Sequence, residues 1–260
     1  ERELKAVQAG LALLRDWGVP HHVVDAVRCR ELEPGLNEGT PLHAAVHLPQ
    51  DGAGNCRQFA QLLKTEAQHL GARFRFDTAV RALGAGAAPA VALDNGVTVP
   101  CDAVVVCAGV GARALLADVG VRLPLAAVHG LSITAPLRQL DGLHAPGPRG
   151  AVTDTRHDVA ITRLGQRVRV AGGAEIGGDP SRPAPAALRR LYRVLDDWFP
   201  GAVLAREAQH WKGAQPMLPD GPPVLGESGA PGVWLNLGHG ASGWALACGS
   251  ARVLAERLSG

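Results

Sequence analysis

A strand-like run from Val233 to Leu237 leads through Gly238-His239-Gly240-Ala-Ser242-Gly243-Trp244 into a helix-forming stretch that ends near Leu258. Such small residues leave backbone N–H groups unobstructed at a helix start, where the partial positive charge favours negative groups. A reduced flavin, negative on its pyrimidine edge, is one group such a turn could stabilise. The same glycines serve equally well as a tight turn with a purely steric purpose. A second candidate, Gly109-Val-Gly-Ala-Arg-Ala114, fits G-x-G-x-x-A after the apolar run Cys101 to Cys107. A self-contained dinucleotide fingerprint also needs a second parallel strand ending in an acid about 20 residues on. No Asp or Glu stands near His129. The reading preferred here is a strand-to-helix turn that lines a cofactor held elsewhere.

Two other chemistries fail on spacing. Ser242, His239 and Asp220 suggest a hydrolase, yet Ser242 is followed by Gly243-Trp244 and no G-x-S-x-G elbow occurs. His43 and His47 lie four apart in a strand-like stretch without the H-E-x-x-H glutamate. On a strand they share a face but stand too far apart to chelate, so both read as ordinary histidines and no metal site is expected.

The elements that must position these residues follow from periodicity. Apolar residues at helical spacing predict a helix over Glu3 to Trp17, and shorter helices follow over Val27 to Leu36 and Ala112 to Val119. Asn55 is placed to cap a helix over Cys56 to Leu70, and another helix spans Pro183 to Phe199. Strands are expected at His22 to Asp25, Ala44 to Leu48, Arg73 to Phe76, Ala79 to Leu83, Ala90 to Leu93 and Val97 to Val99. Asp94-Asn-Gly96 supplies a hairpin turn between the last two. Cys101 to Cys107 has the continuous apolar pattern of a strand buried on both faces. From Leu123 to about Val170 the pattern is mostly β: His129 to Ala135, Ala151 to Thr153, Asp158 to Arg163 and Arg167 to Val170. Leu83 to Val91, rich in Ala and Gly, is expected to be an exposed loop. The fold class is therefore mixed α/β with a large antiparallel portion in two interleaved layers.

Composition narrows the function classes. The chain has 260 residues, 47% hydrophobic and 19% charged, which is globular and excludes disorder as the main state. A net charge of +2 and 4% aromatics, without a basic stripe, exclude a nucleic-acid binder. The longest apolar runs, such as Ala103 to Ala108, are too short to span a bilayer, and no export signal opens the chain. Five cysteines without a CxxC pair point to a reducing cytoplasm. The start at Glu1, without a methionine, suggests a processed or partial product.

One long stretch carries a family resemblance. Trp211-Lys-Gly-Ala-Gln-Pro-Met-Leu-Pro-Asp-Gly-Pro-Pro-Val-Leu-Gly226, followed by Leu235-Asn-Leu-Gly-His-Gly-Ala-Ser-Gly-Trp-Ala-Leu-Ala-Cys-Gly-Ser250, resembles the end of the small-subunit type of D-amino-acid dehydrogenases. These belong to the flavin amine oxidoreductases, with glycine oxidase and sarcosine oxidase. Weaker matches run in order through Glu33-Pro-Gly-Leu36, Leu48-Pro-Gln-Asp-Gly52, Thr78-Ala-Val80, Cys101 to Gly109, Leu123-Pro-Leu125, His129 to Thr134 and Gly172 to Ile176. The resemblance thus covers essentially the whole chain. It implies a partial two-domain flavin oxidoreductase, with an antiparallel-sheet substrate domain (1–50 and 119–210) interleaved with later pieces of a Rossmann-like FAD domain (51–118 and 211–260).

It further implies FAD as cofactor and oxidative deamination of a D-amino acid or related small amine by hydride transfer to flavin. Electrons would go to a quinone or another acceptor, in the cytoplasm or at the inner face of the membrane. On the cofactor side it places Val80 near the adenine, Ala108 and Gly109 along the cofactor's passage, and Gly238, His239, Gly240, Gly243 and Trp244 around the ring. On the substrate side it places Gln215, His129 and His47, and it assigns no acid–base residue. Three departures stand out. The family's opening strand and G-x-G-x-x-G for the FAD pyrophosphate are not in this sequence, which starts partway into the family's length. Gln215 stands where the family's G-x-R-P motif has an arginine, and Leu131 where a tyrosine is common. An amide can donate to a carboxylate but brings no charge. The departures admit another class, a non-catalytic module that binds a small molecule, a complementing chain or a second copy without turnover.

Overall fold

Two separate sets of inward-facing aliphatic side chains organise the chain in this computed structural model, which describes residues 2–138, 147–177 and 179–260. The helices are α1 (Arg2–Ala6), α2 (Gln8–Asp16), α3 (Ala26–Leu32), α4 (Cys56–His69), α5 (Ala112–Ala117), α6 (Pro185–Trp198) and α7 (Gly243–Leu258). The first seven strands are β1 (His22–Asp25), β2 (Ala44–His47), β3 (Val80–Gly84), β4 (Ala90–Leu93), β5 (Thr98–Pro100), β6 (Val104–Val106) and β7 (Ala126–Pro136). The others are β8 (Ala151–Asp154), β9 (Val159–Leu164), β10 (Arg167–Ile176), β11 (Gln209–Met217), β12 (Val224–Glu227) and β13 (Val233–Leu237). The class is mixed α/β with mainly antiparallel sheets, as the sequence pattern predicts.

The first unit comprises residues 1–55, 130–174 and 179–213. Its sheet has the order β11-β7-β10-β9-β8, and β10, β9 and β8 form an antiparallel meander with Val170 opposite Ile161 and Ile161 opposite Val152. Alternation puts Val159, Ile161, Val168 and Val170 on the covered face, fully buried. Helix α6 lays Leu191, Val194 and Leu195 against them, an i, i+3, i+4 stripe. The loop after α3 holds the C-terminal end of α6. Asn37 Nδ2 and Thr40 Oγ1 both donate to the Asp197 carbonyl, and Asn37 N donates to Trp198 O at 2.8 Å. Glu33 is buried and accepts the Arg149 N–H at 2.9 Å on each carboxylate oxygen. Helix α3 stops at Leu32, short of the expected Leu36, because Glu33 precedes Pro34 and is steered out of helical geometry. The helix expected over Glu3 to Trp17 is interrupted at Val7 in name only. Its i→i+4 bonds run on through Val7, from Val7 N to Glu3 O and from Leu11 N to Val7 O.

The second unit comprises residues 56–129, 175–178 and 214–260. It contains the hairpin sheet β3-β4-β5 and the sheet β12-β13-β6, in which β13 runs parallel to β6 with Leu235 opposite Val106. Val104, Val106, Val233, Leu235 and Leu237 are buried with Leu116 of α5. Three expectations change here. The strand expected over Cys101 to Cys107 shrinks to β6, and Val105 is 37% exposed, so only one face is covered. Arg73 to Phe76 alternates like a strand but joins no ladder among the described residues, and Phe74 and Phe76 stack 5.9 Å apart in the open. The Leu83 to Val91 loop is not wholly exposed. Pro89 is buried beside Gly232, and Gly86 N donates to Pro231 O at 2.9 Å. Helix α4 buries no residue and leaves Leu62 and Leu63 exposed. Among the described residues no helix is long and apolar enough to cross a membrane.

Candidate functional site: the carboxyl ends of two parallel strands

Strands β6 and β13 are hydrogen-bonded in parallel, so the turns that leave them stand at the same end of their sheet. Ligands of open α/β sheets bind at that carboxyl end. Each turn changes direction through a positive-φ glycine and one turn of 3-10 helix before an α-helix begins. After β6 these are Gly109 (φ 54°) and Gly109–Gly111, leading to α5. After β13 they are Gly238 (φ 82°), Gly240 (φ 52°) and Gly240–Ser242, leading to α7. The structure therefore brings Ala108 and Gly109 to the same sheet end as Gly238, His239, Gly240, Gly243 and Trp244.

Close approach, as well as φ, requires the glycines of the second turn. A Cβ on Gly238 would meet Leu218 Cδ1 at 2.6 Å, and one on Gly240 would meet Met217 Cγ at 3.2 Å. No side chain caps α7, whose N-cap Ser242 leaves the helix start to its own amides. Trp244 is half-exposed and stands edge-on to Phe59 of α4 at 5.5 Å. His239 sits 3.0 Å from Ser250 Oγ through Nε2, and burial lowers its pKa from the usual 6.5. On β13, three residues before His239 in sequence, the Asn236 Oδ1 is buried without a partner. The donor set, the small-residue turn and the uncapped sixteen-residue helix fit the electron-rich edge of a flavin ring.

The first turn is no self-contained dinucleotide site. Helix α5 has only six residues, and the strand after it, β7, belongs to a different sheet. Val80 opens β3 opposite Leu93, in the hairpin sheet, with a bulge before Ala82. Of the residues expected to meet substrate, Gln215 and His129 lie on the adjacent strands β11 and β7. Gln215 is half-buried; His129 is buried and its Nδ1 has no partner. His47 belongs to the first unit, on β2 opposite His22, with ring centroids 6.3 Å apart. Among the described residues no cluster of His, Cys, Asp or Glu could hold a metal ion, and all five cysteines are free thiols.

The hydrolase alternative also ends here: His239 pairs with Ser250, a buried hydroxyl committed to backbone carbonyls, and not with Ser242. Sequence reasoning missed Ser250, Met217, Leu218 and Phe59. None of them left a signal in the sequence, and the burial of Ser250 with Leu254 on one face of α7 shows only in the packed helix.

Comparison with known proteins places the whole chain in a family. The profile of the DAO family, described as FAD dependent oxidoreductase, matches residues 1–257. The chain belongs to the FAD-dependent oxidoreductase family. Among its relatives, a D-amino acid dehydrogenase of Bradyrhizobium diazoefficiens is 39% identical over 262 residues, spanning 100% of this chain and 61% of the relative. One from Cereibacter sphaeroides is 40% identical, across 100% of this chain and 59% of its own length. The chain thus spans about three fifths of the curated relatives it matches. Glycine oxidase from Geobacillus kaustophilus superimposes with a TM-score of 0.85 at 23% identity, covering 100% of this chain and 68% of that one. L-Proline dehydrogenase from P. horikoshii gives 0.84 at 18%, covering 98% of this chain and 69% of that one. These two likenesses establish the fold.

Proposed function

We propose that this chain supplies the flavin-ring turn and the substrate sheet of an FAD-dependent D-amino-acid dehydrogenase, acting on a D-amino acid or a related small amine. The observation that carries the reading is the Gly238–Trp244 turn. Its positive-φ glycines and uncapped helix start lie in a chain similar along its full length to D-amino acid dehydrogenases.

In this reading the α7 amides face the pyrimidine edge of the ring, and Ala108 and Gly109 keep side chains out of the cofactor's path. Val80 contributes backbone near the adenine. The Gln215 amide donates to the substrate carboxylate, and His129 on the adjacent strand adds a substrate contact. A bound FAD would supply the hydride acceptor for oxidation of the substrate α-carbon, a chemistry whose imino-acid product water hydrolyses. The protein's part is to align the two and to stabilise charge. A quinone or another acceptor would take up the electrons, in the cytoplasm or at the inner face of the membrane.

The test is anaerobic mixing of the FAD-loaded chain with a panel of D- and L-amino acids and secondary amines. Bleaching of the flavin band by one class supports the reading, and no bleaching by any of them, with FAD bound, contradicts it. A second reading, a non-catalytic or decayed module that folds and binds a small molecule or a complementing chain without turnover, is favoured by the uncharged Gln215. Gln215→Arg separates the two: tighter amino-acid binding by the chain alone favours the first, and no change favours the second.

A further inference from the structure

Ser250 lies in the middle of α7, 6% exposed, with its Oγ 2.9 Å from the Leu246 carbonyl oxygen and 3.1 Å from that of Ala247. Neither carbonyl can donate. The single hydroxyl proton of Ser250 is therefore directed to them, and its lone pairs are left to accept. The third neighbour is His239 Nε2 at 3.0 Å. A hydroxyl that has already given its proton to a carbonyl can bond an imidazole nitrogen only by accepting, so Nε2 must carry the hydrogen.

We propose that Ser250 is a positioning residue that holds His239 in the Nε2–H tautomer, so that Nδ1 is an acceptor and the ring has no proton to give to a ligand of the turn. Two conditions disfavour a second proton on the ring. His239 is partly buried, which works against the charged form, and it stands at the positive end of the α7 dipole. The turn consequently combines amide donors with one imidazole acceptor. Carboxylates and phosphates present acceptors only. An imide edge, with a carbonyl beside an N–H, matches both, and the pyrimidine ring of a flavin carries such an edge. This part of the inference rests on the flavin reading given above.

The experiment is ring-nitrogen NMR on the whole chain labelled with 15N-histidine, with His239→Gln used to assign the signal. The expected result is a protonated Nε2 and a bare Nδ1 at neutral pH. Ser250→Ala should collapse that pattern into an average of tautomers, and Ser250→Thr, which keeps the hydroxyl, should restore it. A ring protonated on Nδ1, or a Ser250→Ala spectrum unchanged in a chain that circular dichroism shows folded, overturns the proposal. FAD and FAD methylated at N3 are then titrated in parallel. The methylated form should bind about tenfold more weakly, the loss of one hydrogen bond. Equal binding of both overturns the acceptor role. Binding of neither overturns the flavin reading instead, and the tautomer is still decided by the ring spectra.

Discussion

Gly238 and Leu218 are in contact so close that a Cβ on the glycine would lie 2.6 Å from Leu218 Cδ1. The same glycine has φ 82°, in the left-handed region. Steric exclusion and backbone conformation thus demand glycine independently at the point where β13 turns toward α7.

Gly238→Ala is therefore expected to combine a left-handed penalty of about 1–2 kcal/mol with a core clash. Gly109→Ala is the control, since φ is 54° there but an added methyl would meet nothing within 4 Å. Urea unfolding should show the larger loss for Gly238→Ala. Equal losses would mean that the Leu218 contact is not what closes the turn.

Asp154 gives the first unit an acid-sensitive point. Burial acts to raise its pKa, but hydrogen bonds from His157 and Trp198 outweigh this and hold it below the usual 3.8. Its Oδ2 accepts from Trp198 Nε1 at 2.8 Å and from His157 Nδ1 at 2.9 Å, tying β8 to α6. Because the folded pKa is the lower one, the stabilisation is full above 3.8 and is lost as pH falls through the folded value. Thermal melts from neutral pH downward should show that loss in the native chain and a flatter acid limb in Asp154→Asn. Identical acid limbs would mean that Asp154 does not set the acid sensitivity of this unit.

The second unit exposes an apolar surface of Leu62, Leu63, Phe74 and Phe76, the last 65% exposed. A segment with strand alternation and no ladder favours association through its free edge. Sedimentation should show concentration-dependent association of the native chain, and Phe76→Lys should reduce it. A native chain that stays monomeric at high concentration would show that this surface is tolerated in water.

Periodicity revealed most of the elements, because the apolar stripes of α6 and the alternation of β9 and β10 are local signals that the packed core agrees with. Arg73 to Phe76 shows the limit of that signal. Its alternation is strand-like, but a strand exists only with a neighbour, and none of the described residues pairs with it. Strands β11 and β12 were not legible at all, since β11 contains Gly213 and Pro216 and β12 is only four residues long. At the site, the Gly238–Trp244 turn could be read from residue types. The Ser250–His239 contact could not, because it joins residues eleven apart through a helix whose buried face is set by packing.

If the ends of β6 and β13, with the start of α7, hold a flavin ring, the purified chain must change the spectrum of added FAD. Titration with FAD, followed by flavin fluorescence and visible absorbance, reads this out. Quenched fluorescence and a structured, shifted flavin band are expected in the native chain. Both should be lost in Gly240→Val, where a side chain would be forced against Met217. Free-flavin spectra at saturating FAD, or equal binding by Gly240→Val that is shown to be folded, would contradict a ring site at this sheet end.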